Sequence, residues 1–214
     1  MRRLRKKIGA EKIRVVFYTN EPQKWSYESL YREFEKSPLF EPVVVVVPRY
    51  MVHAERDHTR MTLEEQYDFY KSRNYNVEYG YVNGTYIDIK AFRPDIFFYL
   101  QLAEVPGVDD PLIVSYNALT LYCPYFYQLA DHRKNYLQSF HKLLYVNYLE
   151  HELNLKRFES YGKGNSQNCV VVGYPKLDVY IKSNNNRTWR QYWKEPEKLK
   201  IIYAPPSFIC RRSV

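Results

Sequence analysis

The chain has few cysteines, few glycines and no long apolar run. Its 214 residues include three cysteines, Cys123, Cys169 and Cys210, and no two of them form a CxxC pair. This number and spacing argue against a disulfide framework and against a cysteine-based zinc site. Apolar runs such as Val43 to Val47 are far shorter than the ~20 residues that a membrane-spanning helix needs. These absences predict a cytoplasmic protein.

Several motifs of nucleotide-binding and hydrolytic proteins are also missing. The first predicted strand is followed by Asn20-Glu21-Pro22 and not by GxGxxG, and no P-loop or GxSxG pattern is found. His151-Glu152 begins like HExxH, but position 155 is leucine. The sequence therefore predicts no metal site and no cofactor. Residues 162–165, Gly-Lys-Gly-Asn, fit either an anion cradle or an ordinary surface turn.

Positive charge is concentrated at the chain ends. The net charge is +8, and residues 1–14 contain seven basic residues and one acidic residue. A nucleic-acid binder usually carries its charge on a folded face, so this distribution argues against nucleic acid as a partner. We predict a disordered basic arm over residues 1–12, which either stays solvated or contacts an anionic membrane peripherally. The residues of that contact are Arg2, Arg3, Arg5, Lys6 and Lys7.

The hydrophobic pattern of the first half predicts a parallel sheet. Ile13 to Thr19 is a β-rich run, and Val43 to Val47 has no polar face, as in a central strand covered on both sides. A helical stripe at residues 27–34 separates these runs, and a capping box at residues 62–65 begins a second helix. Strands that alternate with helices at this spacing predict an α/β, Rossmann-like, mostly parallel sheet flanked by helices.

Further strands of the first half are expected at Ile96 to Leu100 and Leu112 to Tyr116. The second half is less regular. A strand is expected there at Asn168 to Val172, and a helix at Glu150 to Tyr161. The segment His141 to Tyr148 fits either a strand or a helix.

Two histidines flank a basic segment within this aromatic half. His132 and His141 lie on either side of Arg133-Lys134. An imidazole between aromatic rings and cations can donate to a phosphate or act as a general base, and it can equally be a buried, satisfied histidine. We take His132 as a candidate substrate-binding residue.

Several stretches, in chain order, resemble one family. They are the opening strand, Lys24 to Tyr31, Arg93 to Tyr99, Ala118 to Tyr125, Val171 to Asp178 and Ile201 to Pro205. Together they resemble the bacterial CDP-glycerol:poly(glycerophosphate) glycerophosphotransferase family.

This resemblance implies a GT-B architecture, in which two Rossmann-like domains face each other across a cleft. It also implies transfer of glycerol phosphate from CDP-glycerol to a lipid-linked, phosphate-bearing polymer such as teichoic acid. In GT-B proteins the carboxy-terminal domain holds the donor and the amino-terminal domain shapes the acceptor side. Residues 13–198 correspond to that acceptor-side domain, and the expected partner is the lipid-linked polymer.

The sequence departs from the family pattern after Ala204-Pro205. Family members typically continue with a histidine pair, whereas Pro206-Ser207-Phe208 follows here. We therefore interpret residues 199–214 as the start of a truncated or frameshifted second domain. Because phosphoryl transfer needs donor and acceptor held in line, the chain is expected to be inactive alone. The alternative function is a non-catalytic module that binds an anionic glycan or a partner transferase.

The aromatic loop with Tyr122, Pro124 and Tyr125 is the first candidate acceptor-binding segment. Proline stiffens the loop, and the ring faces suit a sugar or a glycerol unit. The same rings equally fit ordinary packing between the sheet and its helices.

A second candidate segment contains Gly173, Tyr174 and Lys176. These residues follow the strand predicted at Asn168 to Val172, and so lie at its carboxyl end, where open α/β sheets bind ligands. Lys176 either meets a phosphate there or is simply solvated.

Overall fold

The computed structural model describes residues 7, 9–50, 61–103, 105–161, 166–178 and 181. By its internal contacts the chain divides into a first unit, Met1–Val179, and a second unit, Tyr180–Val214. All described residues except Ile181 belong to the first unit. The boundary predicted after residue 198 and most of the predicted basic arm lie outside the described residues.

Seven parallel strands form one sheet in the first unit, in the order β3-β2-β1-β6-β7-β8-β9. A separate antiparallel hairpin pairs β4 with β5. The predicted α/β class with a mostly parallel, Rossmann-like sheet is confirmed. The strands are β1 (Ile13–Thr19), β2 (Phe40–Val46), β3 (Val77–Tyr79), β4 (Tyr81–Val82), β5 (Thr85–Tyr86), β6 (Ile96–Tyr99), β7 (Leu119–Tyr122), β8 (Val146–Leu149) and β9 (Cys169–Val171).

Helices connect most of these strands and cover the sheet. In the described residues they are α1 (Glu28–Lys36), α2 (Leu63–Lys71), α3 (Pro111–Ser115), α4 (Arg133–Tyr136), α5 (Ser139–Leu143) and α6 (Glu152–Tyr161), with 3-10 turns at Pro22–Lys24 and Ile89–Phe92. The capping box that was predicted for the second helix is present, because Thr62 Oγ1 accepts from the Glu65 amide and Glu65 accepts from the Thr62 amide.

The valine run of β2 is buried on both faces, as its composition predicts. Val44 and Val46 face a core that includes Phe17 of β1 and the aromatic residues of α1 and α2. Val43 and Val45 face a second core with Val16, the Ile89–Phe92 turn, α3 and α5. Each face of the sheet is thus covered by its own apolar layer.

One predicted strand is wrong. Leu112 to Tyr116 falls on a short helix, α3, and the next strand of the sheet is β7. Asp110 caps this helix by accepting from the Leu112 amide at 2.8 Å, and Pro111 occupies its first turn. An aspartate followed by proline is a strong helix start, and it outweighs the short apolar run.

The ambiguous segment at residues 141–148 contains both types of element. It includes the end of α5 and the first residues of β8. The predicted helix at Glu150 to Tyr161 and the predicted strand at Asn168 to Val172 are observed as α6 and β9.

Ion pairs fasten the amino edge of the sheet. The side chain of Asp95, which is 1% exposed, accepts from the Lys7 ammonium at 2.8 Å and from the Arg14 amide at 3.0 Å. Arg14 in turn pairs with Glu41 of β2 and Glu78 of β3. Lys7, one of the five cations predicted for membrane contact, is therefore bound to the sheet. The other four lie outside the described residues.

At the opposite edge, Tyr27 links the ends of two neighbouring strands. Its buried hydroxyl donates to the Tyr99 carbonyl at 2.7 Å, lies 3.0 Å from the Cys123 carbonyl, and accepts from the Cys123 amide at 2.9 Å. Tyr99 ends β6 and Cys123 follows β7. One hydroxyl thus fixes where the chain leaves both strands.

We expect Tyr27→Phe to lower the free energy of unfolding by about 1–3 kcal/mol, because it leaves the Cys123 amide without this buried acceptor. Urea denaturation would measure the change. Tyr116→Phe is the matched control, since the Tyr116 side chain is 80% exposed, and it should shift stability by less than about 0.5 kcal/mol. Equal effects of the two substitutions would contradict the role given to the Tyr27 hydroxyl.

Candidate functional site

A cavity of about 240 Å³ opens at the carboxyl edge of the sheet. Gln101 and Leu102 line it just after β6, Pro124 to Phe126 just after β7, and Glu150 just after β8. Helices α4, α5 and α6 supply a further wall that includes Tyr136, His141, Asn154 and Phe158. Open α/β sheets bind ligands at this edge, so the cavity is the candidate functional site.

The cavity begins beside the point where the strand order reverses. From β1 the chain continues to β2 on one side, and from β6 it continues to β7 on the other. Asn20 and Gln101 follow these two central strands, and the Gln101 amide donates to Asn20 Oδ1 at 2.5 Å. Lys24 donates to the same Gln101 side chain at 3.0 Å. These hydrogen bonds connect the loops that follow β1 and β6. The cavity lies beside them, over the ends of β7 and β8.

Three buried polar side chains form the inner part of the cavity. Glu150 is 5% exposed, Asn147 is fully buried and His141 is 6% exposed. The Asn147 side chain and the Asn135 backbone are hydrogen-bond partners of the His141 ring. Glu150 Oε2 has no hydrogen-bond partner among the described residues and almost no accessible surface, so it belongs to the packed wall behind the cavity.

Glu150 is held in place through its other oxygen. Glu150 Oε1 accepts from the Gln128 amide at 2.8 Å and from Asn154 Nδ2 at 2.6 Å. Tyr136 joins the same network, because its hydroxyl donates to Asn154 Oδ1 at 3.1 Å and accepts from the Gln128 side chain at 3.0 Å. The carboxylate is thereby oriented before any ligand arrives.

Burial keeps the His141 imidazole neutral. It lowers the pKa of His141 to about 4, and the neighbouring Asn147 side chain and Asn135 backbone oppose this shift only in part. The ring packs against Tyr122 and Phe158, with centroids 5.9 and 5.0 Å away. At neutral pH the imidazole therefore offers hydrogen bonds without a charge.

Aromatic residues form a second wall. Tyr122 and Pro124 are buried and Tyr125 is half-buried, and all three predicted residues line the cavity. Cys123, between them, is not a nucleophile at neutral pH, because burial raises the pKa of its thiol to about 12. This wall therefore offers ring faces for ligand binding and no nucleophile for covalent chemistry.

Two cations stand at the mouth of the cavity. Lys24 and Arg49 both line it, and both pair with the carboxylate of Glu21, Arg49 at 3.5 Å. The Lys24 ammonium also lies 4.7 Å from the centre of the Tyr125 ring. Lys24 and Arg49 thus place two positively charged groups beside the cavity, each with an ion pair to Glu21.

The second predicted segment reaches the rim of the cavity through a single residue. The Tyr174 hydroxyl donates to the Tyr125 carbonyl at 2.8 Å, and its ring packs against Tyr127. Gly173 adopts the left-handed φ of 90° and lets the chain turn after β9. Lys176 is half-buried, which lowers its pKa, and it does not line the cavity.

His132 lies away from the cavity. It is exposed at the start of α4, whereas His141, the other histidine considered, lines the cavity wall. The basic segment between them is exposed as well.

Sequence reasoning missed the polar residues of the site: Lys24, Arg49, Gln128, Asn147 and Glu150. One signal for Glu150 was available, because it directly follows the apolar residue Leu149, which ends β8 in the structure. The described residues contain no group of three or more His, Cys, Asp or Glu that is placed to hold a metal ion. Nor does this part of the chain contain a helix of the length and apolarity needed to cross a bilayer.

The pKa of His141 predicts a pH dependence of stability. An unfolded histidine titrates near pH 6.5 and the folded one near 4, so below about pH 6.5 the unfolded chain takes up a proton that the folded chain does not. The free energy of unfolding should therefore fall as the pH falls from 6.5 towards 4, by at most about 1.4 kcal/mol per pH unit. His141→Gln should flatten this slope in urea titrations, whereas the exposed-site control His132→Gln should not. Parallel curves for the wild type and both variants would exclude a buried, neutral His141.

Comparison with known proteins gives no family. No family model matches the chain, and no curated protein matches it. Membership of the glycerophosphotransferase family thus stays a prediction from the residues.

Proposed function

We propose that the first unit is the acceptor-side domain of a glycerophosphotransferase-like protein, and that its cavity binds the terminal glycerol phosphate unit of a growing polymer. The observation that supports this most is the polarity of the cavity. Two cations, Lys24 and Arg49, line one part of it, and uncharged and acidic groups line the rest. Such a site favours a ligand with an anionic part and a neutral, hydroxyl-bearing part.

The orientation of the ligand follows from these charges. The phosphate takes the mouth, where Lys24 and Arg49 compensate its charge. Glu150 opposes a second anion inside, so the uncharged glycerol carbons enter and pack on the rings of Tyr122 and Tyr125. A polymer bound in this way keeps the rest of its chain in solvent.

The role proposed for the domain is positioning. A site that fixes the terminal unit converts an encounter between two substrates into a reaction within one complex, which contributes a large part of the barrier reduction in group transfer. In this proposal the cavity binds the polymer that accepts the transferred group, and it does not bind the donor substrate. In the same proposal the polymer is lipid-linked, and the protein works at the cytoplasmic face of the membrane.

Removal of a mouth cation should weaken binding of sn-glycerol 3-phosphate. We expect Lys24→Ala to raise the dissociation constant roughly tenfold, because one charge-assisted hydrogen bond to the phosphate is lost. Titration calorimetry or chemical-shift titration would measure it. Lys142→Ala is the matched control, since Lys142 is exposed on α5 and does not line the cavity.

Two results would contradict the proposal. One is the absence of wild-type binding at millimolar ligand. The other is an equal loss of affinity in the Lys142→Ala control, which would indicate a general effect of net charge.

A further inference from the structure

An open groove continues from the cavity along the loop that follows β6. Its volume is about 380 Å³, and it lies between this loop and helix α5. Leu102 and Gln138 line both the cavity and the groove, so the two spaces are adjacent. A ligand in the cavity can therefore extend into the groove. The apolar lining of the groove includes Leu102, Ala103, Val105, Pro106, Phe140 and Leu143.

Part of this apolar lining is open to solvent. Leu143 is 38% exposed and Pro106 is exposed, while Leu102 and Ala103 are half-buried. These four side chains provide the surface that a ligand can touch. Because the removal of apolar surface from water is favourable in proportion to its area, a hydrocarbon group that covers them is stabilised there.

The carboxylates beside the groove already have backbone partners. Asp109 Oδ1 accepts from the Val105 amide at 2.8 Å, and Asp110 Oδ1 accepts from the Leu112 amide at 2.8 Å. No lysine or arginine of the described residues lines the groove, whereas two cations line the cavity. This distribution disfavours an anion in the groove. A charged head group belongs in the cavity, and an uncharged chain belongs in the groove.

Hydrogen bonds hold the loop that forms one side of the groove. The Tyr99 hydroxyl donates to the Asp109 carbonyl at 2.8 Å, and the amides of Val108 and Asp109 donate to the Val105 carbonyl at 3.0 and 3.2 Å. Gly107 adopts the left-handed φ of 76° within this turn. The groove is thus formed before a ligand arrives, which lowers the entropic cost of binding.

We propose that this groove binds the hydrocarbon chain of an amphiphilic ligand whose polar head occupies the cavity. The continuity of the two spaces favours a chain that belongs to the same ligand over a separate protein partner. The inference rests on the proposed function for the head group only, and it then assigns a lipid phosphate, the acceptor in its shortest form. The apolar lining is observed independently of any phosphate contact.

The experiment uses the full chain and a series of n-alkyl phosphates with four, six and eight carbons, each below the concentration at which it aggregates. The head group is the same throughout, so differences in affinity report on the chain. The affinity should rise roughly twofold per methylene, and thus more than about tenfold from n-butyl to n-octyl phosphate, because each methylene in an open groove loses about half of its contact with water. Titration calorimetry would measure the series.

Leu143→Asn is the informative variant, because it places a polar side chain in the groove without changing the net charge. The affinity for n-octyl phosphate should fall about fivefold, while that for n-butyl phosphate should change by less than about twofold. Leu153→Asn is the matched control. Leu153 is 52% exposed on α6 and lines neither the groove nor the cavity, so this variant should keep the wild-type dependence on chain length.

The outcomes separate this inference from the proposed function. Equal wild-type affinity for all three alkyl phosphates would overturn the chain site, as would an equal loss in the Leu153→Asn control. A wild-type dimer in sedimentation that Leu143→Asn dissociates would show that a second copy covers the groove, which also overturns the inference. If sn-glycerol 3-phosphate does not bind but the dependence on chain length is found, the proposed function fails and the chain site stands. The wild-type series decides the question even if Leu143→Asn does not fold.

Discussion

The hydroxyl of Tyr27 is the constraint on which the cavity depends. It bonds to the end of β6 and to the first residue after β7, and thereby fixes the course of both loops. The loop after β7 contains Pro124 and Tyr125, which form one wall of the site. A phenylalanine at position 27 would keep the packing against Phe17 and Phe98 but lose the link between the loops. The position of this wall of the cavity therefore depends on a hydrogen-bonded side chain in the core.

The same use of a ring with a hydroxyl recurs in the first unit of this chain, which has 23 tyrosines. The Tyr99 hydroxyl donates to the Asp109 carbonyl, and Tyr136 connects the network around Glu150. Tyr174 ties the chain after β9 to the loop that contains Tyr125. Each ring fills space in a core or wall, and each hydroxyl satisfies a backbone or side-chain group that is buried nearby. Apolar packing and loop positioning are thus performed by the same residues.

The sequence could predict the fold because its signals are local. The valines of β2 show a strand buried on both faces, and the capping box at Thr62 marks the start of α2. The prediction failed at Leu112 to Tyr116, where a capping aspartate and a proline decided the structure. The aromatic wall could be predicted as a candidate, since its residues are consecutive. The polar wall around Glu150 could not, because Gln128 and Glu150 meet only when the chain after β7 folds back onto the end of β8. The choice between His132 and His141 likewise depends on burial that residue type does not reveal.

The bond between Lys7 and Asp95 has a consequence for the distribution of positive charge. Lys7 is fastened at the amino edge of the sheet, and the cavity opens at the carboxyl edge, about one strand length or roughly 20 Å away. Its ammonium group is compensated there by a carboxylate that is itself buried. At this separation, about two Debye lengths at physiological ionic strength, the charge of Lys7 adds little to the attraction of an anion at the cavity.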